Sequence, residues 1–306
     1  MQQGKCLHQL HRLNNDAMKI IAGYSSINLT HAVCNSLNLE PIIPIYKRFF
    51  DGEISVTLAE PMRDEACLLI HSLSEPVNDN IITLLLTINT LKRSGADKIV
   101  VCIPYLAYTR QEHTVSLVIS LMHAAGAHHC ITIAPHSHIE NAVIPINVLS
   151  TTQLFANHIK ASHKLNNLII VSPDQGGIER CRQVHSALGL ASELIVIDKI
   201  RTNGACVAQT IHGDVRGKRC LIIDDIIDTG TTLCSAAEAL IEHGATEVFA
   251  YCTHGLLSGE ALTLLQQSPI KKLVITDTIA PKEDTLNAPK IEMISVAGSI
   301  AKNNSF

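Results

Sequence analysis

The stretch Cys220-Leu-Ile-Ile-Asp-Asp-Ile-Ile-Asp-Thr-Gly-Thr-Thr232 decides how this chain is read. Its first four residues, Cys220 to Ile223, are apolar throughout and read as a buried strand. Asp224 and Asp225 follow at the strand's end, then Asp228, Thr229, Gly230, Thr231 and Thr232, then an Ala-rich run of helical character. A strand that leads through acids and small residues into a helix N-terminus suits a sugar phosphate. Loop N–H groups and the helix dipole can hold the phosphate. The acids can hold ribose hydroxyls or a magnesium ion.

Outward from this stretch, apolar runs of strand length alternate with helical patterns. Met18–Ala22, Ala66–His71, Lys98–Ile103 and His129–Ile133 read as strands in the first half. Asn167–Ser172, Leu194–Ile197, Arg219–Ile223, Glu247–Cys252, Lys272–Thr276 and Ile291–Ser295 do so in the second. Leu29–Leu37, Val77–Gly95, Ser116–Gly126, Ile178–Leu188, Thr232–Gly244 and Ser258–Gln267 read as the intervening helices. Strands apolar on both faces and joined by helices imply parallel α/β sheets. The pattern divides into two similar halves joined around residues 150–165, behind an extension, residues 1–17, that is expected to be poorly ordered.

The bulk composition narrows the function. A chain of 306 residues that is 46% hydrophobic and 17% charged carries a generous core. Its net charge of -4 gives no electrostatic case for nucleic acid. Most of its 10 cysteines sit in apolar runs without a C-x-x-C pair, which reads as buried thiols in a reducing cytoplasm. No signal peptide is read ahead of Met18, and no apolar run approaches the roughly 20 residues of a membrane span.

Five further segments carry chemistry. Phe49-Phe50-Asp51-Gly52-Glu53 is a turn opening an alternating strand, and can present carboxylates to a ligand or be an ordinary turn. Ile103-Pro-Tyr-Leu-Ala-Tyr-Thr-Arg110-Gln111-Glu112 leaves the C-terminal end of a buried strand, where open α/β sheets bind ligands. There Arg110 suits a phosphate and Gln111 a base edge. Ala134-Pro135-His136 also follows a strand, and its imidazole is a candidate metal or phosphate partner. In Val171-Ser172-Pro173-Asp174-Gln175-Gly176-Gly177-Ile178-Glu179-Arg180, the glycines allow backbone to approach an anion and Asp174 can hold magnesium. Asp198-Lys199-Ile200-Arg201 places two cations at a strand end, where they would meet phosphates.

Together these segments resemble the ribose-phosphate pyrophosphokinase (phosphoribosyl pyrophosphate synthetase) family. The motifs run in family order over residues 18–300 and include F-x-D-G-E, the P-x-N-D helix start at Pro76–Asp79, I-P-Y-x-x-Y-x-R-Q, S-P-D-x-G-G and D-K-x-R. Gly213–Lys218, the acidic stretch at Asp224, Cys252–Gly255 and Ser295–Ala297 continue them. The acidic motif alone is shared with phosphoribosyltransferases, so the other segments specify the reaction. The resemblance implies an α/β chain of two phosphoribosyltransferase-like domains, each a mostly parallel sheet flanked by helices: residues 18–160 on the ATP side and 161–306 on the ribose 5-phosphate side. It implies a magnesium-dependent transfer of diphosphate from ATP to ribose 5-phosphate in a homo-oligomer, dimer to hexamer. Phe50, Asp51, Gly52, Glu53, Arg110 and Gln111 fall on ATP-binding positions, and His136 and Asp174 on metal positions. Lys199 and Arg201 fall on the catalytic loop. Asp224, Asp225, Asp228, Thr229, Gly230, Thr231 and Thr232 fall on the sugar-phosphate site.

The departures are specific. Ala134 stands where the family has Asp, and Glu112-His113 where it has Asp-Arg. The family's Arg/Ser-rich regulatory loop, which binds phosphate or ADP, is missing directly before Thr114. The catalytic loop, Lys199-Ile-Arg-Thr-Asn-Gly204, is shortened. The expected outcome is a competent enzyme without that regulation. A non-catalytic synthetase-like subunit, which the loss at Ala134 favours, and a phosphoribosyltransferase are the alternatives.

Overall fold

The computed structural model describes residues 18–110, 113–202 and 205–303, with residues 199–202 and 205–209 described by their backbone alone. The described residues form two compact units, 18–149 with 297–303, and 150–296. The sequence reading divides the chain eleven residues later and assigns the C-terminus to the second domain. In the structure the helix at Ala297–Ala301 packs on the first helix of the chain, Ile27–Leu37, which places it with the first unit.

In the first unit, β1 (Met18–Ala22) leads to α1 (Ile27–Leu37) and a two-stranded hairpin, β2 (Ile45–Arg48) and β3 (Ile54–Thr57). β4 (Ala66–Ile70), α2 (Val77–Arg93), β5 (Lys98–Ile103), α3 (Thr114–Ala125), β6 (His129–Ile133) and β7 (Ile146–Leu149) follow. The five-stranded sheet has order β1-β4-β5-β6-β7 and is parallel throughout. The expected strands are present, and β2 and β7, too short to read from apolar runs, complete the set.

The second unit opens with α4 (Thr152–Ser162), a helix that occupies what the sequence reading took as the join. β8 (Leu168–Ser172), α5 (Ile178–Leu188), β9 (Ile195–Thr202), β10 (Ala205–His212), β11 (Arg219–Ile227), α6 (Thr231–Glu242) and β12 (Glu247–Gly255) follow. α7 (Ala261–Gln267), β13 (Ile270–Thr276), α8 (Glu283–Asn287) and β14 (Ile291–Ile294) close the unit, and α9 (Ala297–Ala301) returns the chain to the first. The sheet order is β10-β9-β8-β11-β12-β13-β14, parallel except for β10.

Strand alternation builds this unit's core in two layers. Ile169, Val171, Cys220 and Ile222 face a cluster with Leu233, Ala236, Ala237 and Leu240 of α6. Their neighbours Leu168, Ile170, Leu221 and Ile223 face Phe155 and Ile159 of α4 and Cys181, Val184 and Leu188 of α5. Burying both faces fixes the strand's depth, and so fixes where its acidic end emerges. The acids lie within β11 and not after it, because the adjoining strand is equally long and pairs Asp224 with Cys252 and Ile226 with His254.

Candidate functional site

Asp224 and Asp225 stand at the C-terminal end of β11, with side chains only 14% and 6% exposed. Each carboxylate folds back on the chain: Asp225 N–H donates to Asp224 Oδ1 at 2.9 Å and Ile226 N–H to Asp225 Oδ1 at 2.9 Å. Arg180 of α5 reaches across both, Nη1 to Asp224 Oδ1 and Nη2 to Asp225 Oδ2, each at 3.0 Å. Burial and the neighbouring Asp225 charge push the Asp224 carboxyl up to about 7 against the pull of Arg180. Two like charges this close share their titration.

Beyond the acids the chain turns through Asp228-Thr229-Gly230 into α6. Gly230 takes the left-handed conformation at φ 79°, which a side chain would strain. The turn is fixed from the β12–α7 loop, where Ser258 N–H donates to Asp228 O at 3.0 Å and Leu256 N–H to Ile227 O at 2.9 Å. Thr229 and Thr231 place their hydroxyls 3.2 Å apart. The N-cap of α6 is Gly230, which brings no side chain of its own to the helix start, and amides at such a start suit an anion.

The loop between β8 and α5 adds Asp174, half-buried, whose Oδ1 accepts the Gly177 N–H at 3.0 Å. The sequence reading assigned Gly176-Gly177 to close approach of an anion. A Cβ at Gly177 would lie 2.8 Å from Ser172 Oγ and 3.3 Å from Arg180 Nη1, so this glycine makes room for the protein's own side chains.

β9 and β10 form an antiparallel hairpin that carries Lys199 and Arg201, with Lys199 paired to Gln209 along the backbone. The side chains of Lys199 and Arg201 lie outside the described residues. The base of the hairpin is described: Asp198 accepts hydrogen bonds from Gln175 Nε2 and, at 2.7 Å, from His212 Nε2. These bonds, Gln175 first, hold its carboxyl below the usual range. They tie the hairpin to the loop of Asp174, a link the sequence reading did not find because its partners lie far apart in the chain.

In the first unit, Phe49 to Glu53 close the β2–β3 hairpin. Gly52 N–H donates to Phe49 O at 3.0 Å, and Asp51 Oδ1 accepts the Glu53 N–H at 3.1 Å. Phe50 stands wholly in solvent, and Asp51, Gly52 and Glu53 are exposed. Arg48 donates to Gly52 O at 3.2 Å and pairs with Asp79 at 2.5 Å. Beside Asp79, Asn78 accepts the Tyr108 hydroxyl at 2.6 Å. The Pro76–Asp79 segment thus joins the hairpin to the loop that carries Arg110, which is exposed; Gln111 lies outside the described residues.

His136 is exposed in the loop after β6. Tyr108 and Ala134, one in each of these loops, adopt left-handed backbone at φ 65° and 37°. Non-glycine residues held there store strain, a recurrent mark of functional loops. Among the described residues no three His, Cys, Asp or Glu side chains gather as a metal-ligand set.

Two other motifs have structural roles. Gly213–Lys218 forms a turn at the opposite, N-terminal end of β11, where Asp214 accepts from Arg216 N–H at 3.1 Å. In Ser295–Ala297, Val296 N–H donates to the half-buried Asp277 at 2.8 Å, where the chain passes between units.

A family model described as the N-terminal domain of ribose phosphate pyrophosphokinase matches residues 18–136, and one described as the phosphoribosyl synthetase-associated domain matches residues 192–304. A ribose-phosphate pyrophosphokinase of Agrobacterium fabrum is 38% identical over 296 residues, covering 93% of this chain and 95% of that one. The chain belongs to the ribose-phosphate pyrophosphokinase family. A Rhizobium meliloti protein of the same name is 39% identical over 296 residues. The crystal structure of phosphoribosylpyrophosphate synthetase from Mycobacterium smegmatis superposes with a TM-score of 0.87 at 27% identity, covering 94% of this chain and 97% of that one. Arg180, Asp198 and His212 take their roles here from geometry, since each acts through another side chain.

Proposed function

We infer that the protein is a ribose-phosphate diphosphokinase. It transfers the β,γ-diphosphoryl group of ATP to the 1-hydroxyl of ribose 5-phosphate, giving 5-phosphoribosyl 1-diphosphate and AMP for nucleotide biosynthesis. The observation that carries the reading is the pairing of buried acids with a glycine-led helix start at Asp224–Thr232, in a chain that also keeps the D-G-E hairpin and the Arg110 loop. A phosphoribosyltransferase needs neither of the last two.

Each group has a role suited to its chemistry. The amides at the start of α6, with Thr229, Thr231 and Thr232, hold the 5-phosphate, and Asp228 borders them. Asp224 and Asp225 accept ribose hydroxyls and orient the 1-hydroxyl for in-line attack on the β-phosphorus. Lys199 and Arg201 neutralise charge on the diphosphoryl group and the departing AMP. Phe50 stacks on the adenine, with Asp51, Glu53, Arg110 and Gln111 on the nucleotide's polar edge.

Magnesium fits the donor set. It takes one or two carboxylates and completes its shell with water and substrate phosphates, so a protein cage is not required. His136 in the first unit and Asp174 in the second are each proposed as a protein donor, and magnesium held there would supply further charge neutralisation on the phosphates. The described cysteines are free and buried, which suits the cytoplasm. A homo-oligomer would cover the exposed Leu117 and Leu121 of α3 and Ile82 of α2.

The test is AMP formation by the purified protein from ATP, ribose 5-phosphate and Mg²⁺. No turnover with any nucleotide donor would instead favour a non-catalytic synthetase-like subunit, a reading that Ala134 supports because its loop keeps the left-handed turn without a carboxylate. With the stretch before Thr114 shortened, turnover in phosphate-free buffer should match that with phosphate, and ADP should inhibit only in competition with ATP. Noncompetitive ADP inhibition would refute the regulatory part. Phe50→Ala should raise the KM for ATP about tenfold, since stacking on a base contributes roughly 1–3 kcal/mol, and leave the KM for ribose 5-phosphate unchanged. An unaltered ATP KM removes Phe50 from the site.

A further inference from the structure

We propose that Arg180 is a positioning residue of the sugar site: by spanning Asp224 and Asp225 it fixes the oxygens each presents and reserves the pair for hydroxyl groups over a divalent cation. The inference rests on the reading of these acids as the ribose-binding pair.

The geometry is specific to a guanidinium. Its planar fork sets Nη1 on Asp224 and Nη2 on Asp225, each at 3.0 Å, which an ammonium on a single atom cannot reproduce. The side chain is 24% exposed and the acids less, so the three charges interact with little screening. The surroundings are built to admit it, since the Cβ that Gly177 lacks would sit 3.3 Å from Nη1. Asp174, whose Oδ1 is held by Gly177 N–H, is the further acid on the same loop.

The bonds then decide which oxygens remain. Asp224 Oδ1 takes Arg180 and the Asp225 N–H, Asp225 Oδ2 takes Arg180, and Asp225 Oδ1 takes the Ile226 N–H. Asp224 Oδ2 alone is bonded neither to Arg180 nor to the main chain by these contacts. An approaching ligand meets a pair whose charge is half balanced and whose orientation is fixed. Hydroxyl donors can bond to it as it stands. A divalent cation needs several oxygens drawn onto one centre, and would have to displace Arg180 to gather them.

The test uses Arg180→Lys and Arg180→Met in the full chain. Arg180→Lys should raise the KM for ribose 5-phosphate about tenfold and leave the KM for ATP and the melting temperature near wild type. Arg180→Met should gain one Mn²⁺ site per chain in the absence of substrates, counted by the EPR signal of free Mn²⁺, and Arg180→Met/Asp224→Asn should lose it again. Equal Mn²⁺ stoichiometry in wild type and Arg180→Met, or an unchanged KM for ribose 5-phosphate in Arg180→Lys, overturns the proposal. If Arg180→Met does not fold, the Mn²⁺ count is made on Arg180→Gln and the KM result of Arg180→Lys stands beside it. Wild-type protein inert towards ATP and ribose 5-phosphate refutes the enzymatic reading separately, because the Mn²⁺ count needs neither substrate.

Discussion

Lys199→Ala is expected to lower kcat by about 10²–10³-fold, the usual loss when one preorganised charge-stabilising group is removed, with the KM for ribose 5-phosphate little changed. Diphosphoryl transfer asks the protein for positioning and charge neutralisation, and little covalent help. A cation that meets the reacting phosphates only as charge develops there acts on the transition state and not on substrate binding. The backbone supports such a role. Lys199 follows directly on Asp198, which Gln175 and His212 hold in place, so the hairpin starts from a fixed base. Beyond Lys199 the pairing of β9 with β10 shifts register between Cys206 and Ala208, the kind of irregularity that locally bends a strand. Steady-state kinetics on the purified variant decide the matter. A variant with wild-type kcat and a raised KM would place Lys199 in ground-state binding instead.

How much of this was legible in the sequence follows from range along the chain. The strands at Met18–Ala22, Lys98–Ile103 and His129–Ile133 have the bounds read from their apolar runs. Burial on both faces leaves a continuous hydrophobic signal within the strand itself. β10 gave no such signal, because it is an edge strand whose Ala205–His212 segment mixes small and polar residues, and only pairing with β9 defines it. α4 was hidden for a related reason. Its buried face is carried by Phe155, Ala156 and Ile159, among Thr, Gln, Asn and His that read as a linker.

The site shows the same division. Asp224 to Thr232 was readable because strand, turn and helix start are contiguous. Arg180 was quoted within its motif without a role, since its two partners lie 44 and 45 positions further along and meet it only through the parallel pairing of β8 with β11. Asn78 and Asp79 were likewise read as a helix start. Their bonds to Tyr108 and Arg48 make that start the brace of both the hairpin and the Arg110 loop. Residues that act through other residues leave little mark on local sequence.

Asp224→Asn should stabilise the fold at neutral and alkaline pH while it removes activity. Burial and Asp225 raise the Asp224 carboxyl from 3.8 to about 7 in the folded state. A raised acid favours folding when protonated. That contribution is complete below the unfolded value of 3.8 and is lost as pH rises through about 7. The ionised pair therefore carries a penalty on the order of 2–4 kcal/mol above neutrality. Asparagine is close to an isostere of the protonated acid: its oxygen can still accept from Arg180 and the Asp225 N–H, and its amide can donate towards the Asp225 carboxylate. Relative to wild type, the variant's stability should rise between about pH 4 and pH 7 and stay constant above. The loss of function has the same origin, because the oxygen offered to a ribose hydroxyl has become a donor, and kcat/KM should fall roughly 10–10²-fold or more. Such opposition between stability and activity is expected where like charges are held together for a ligand. Urea titrations of both proteins from pH 4 to pH 9 measure it. Parallel stability curves across that range would show that the acid pair is not strained, and equal kcat/KM would show that it does not touch the sugar.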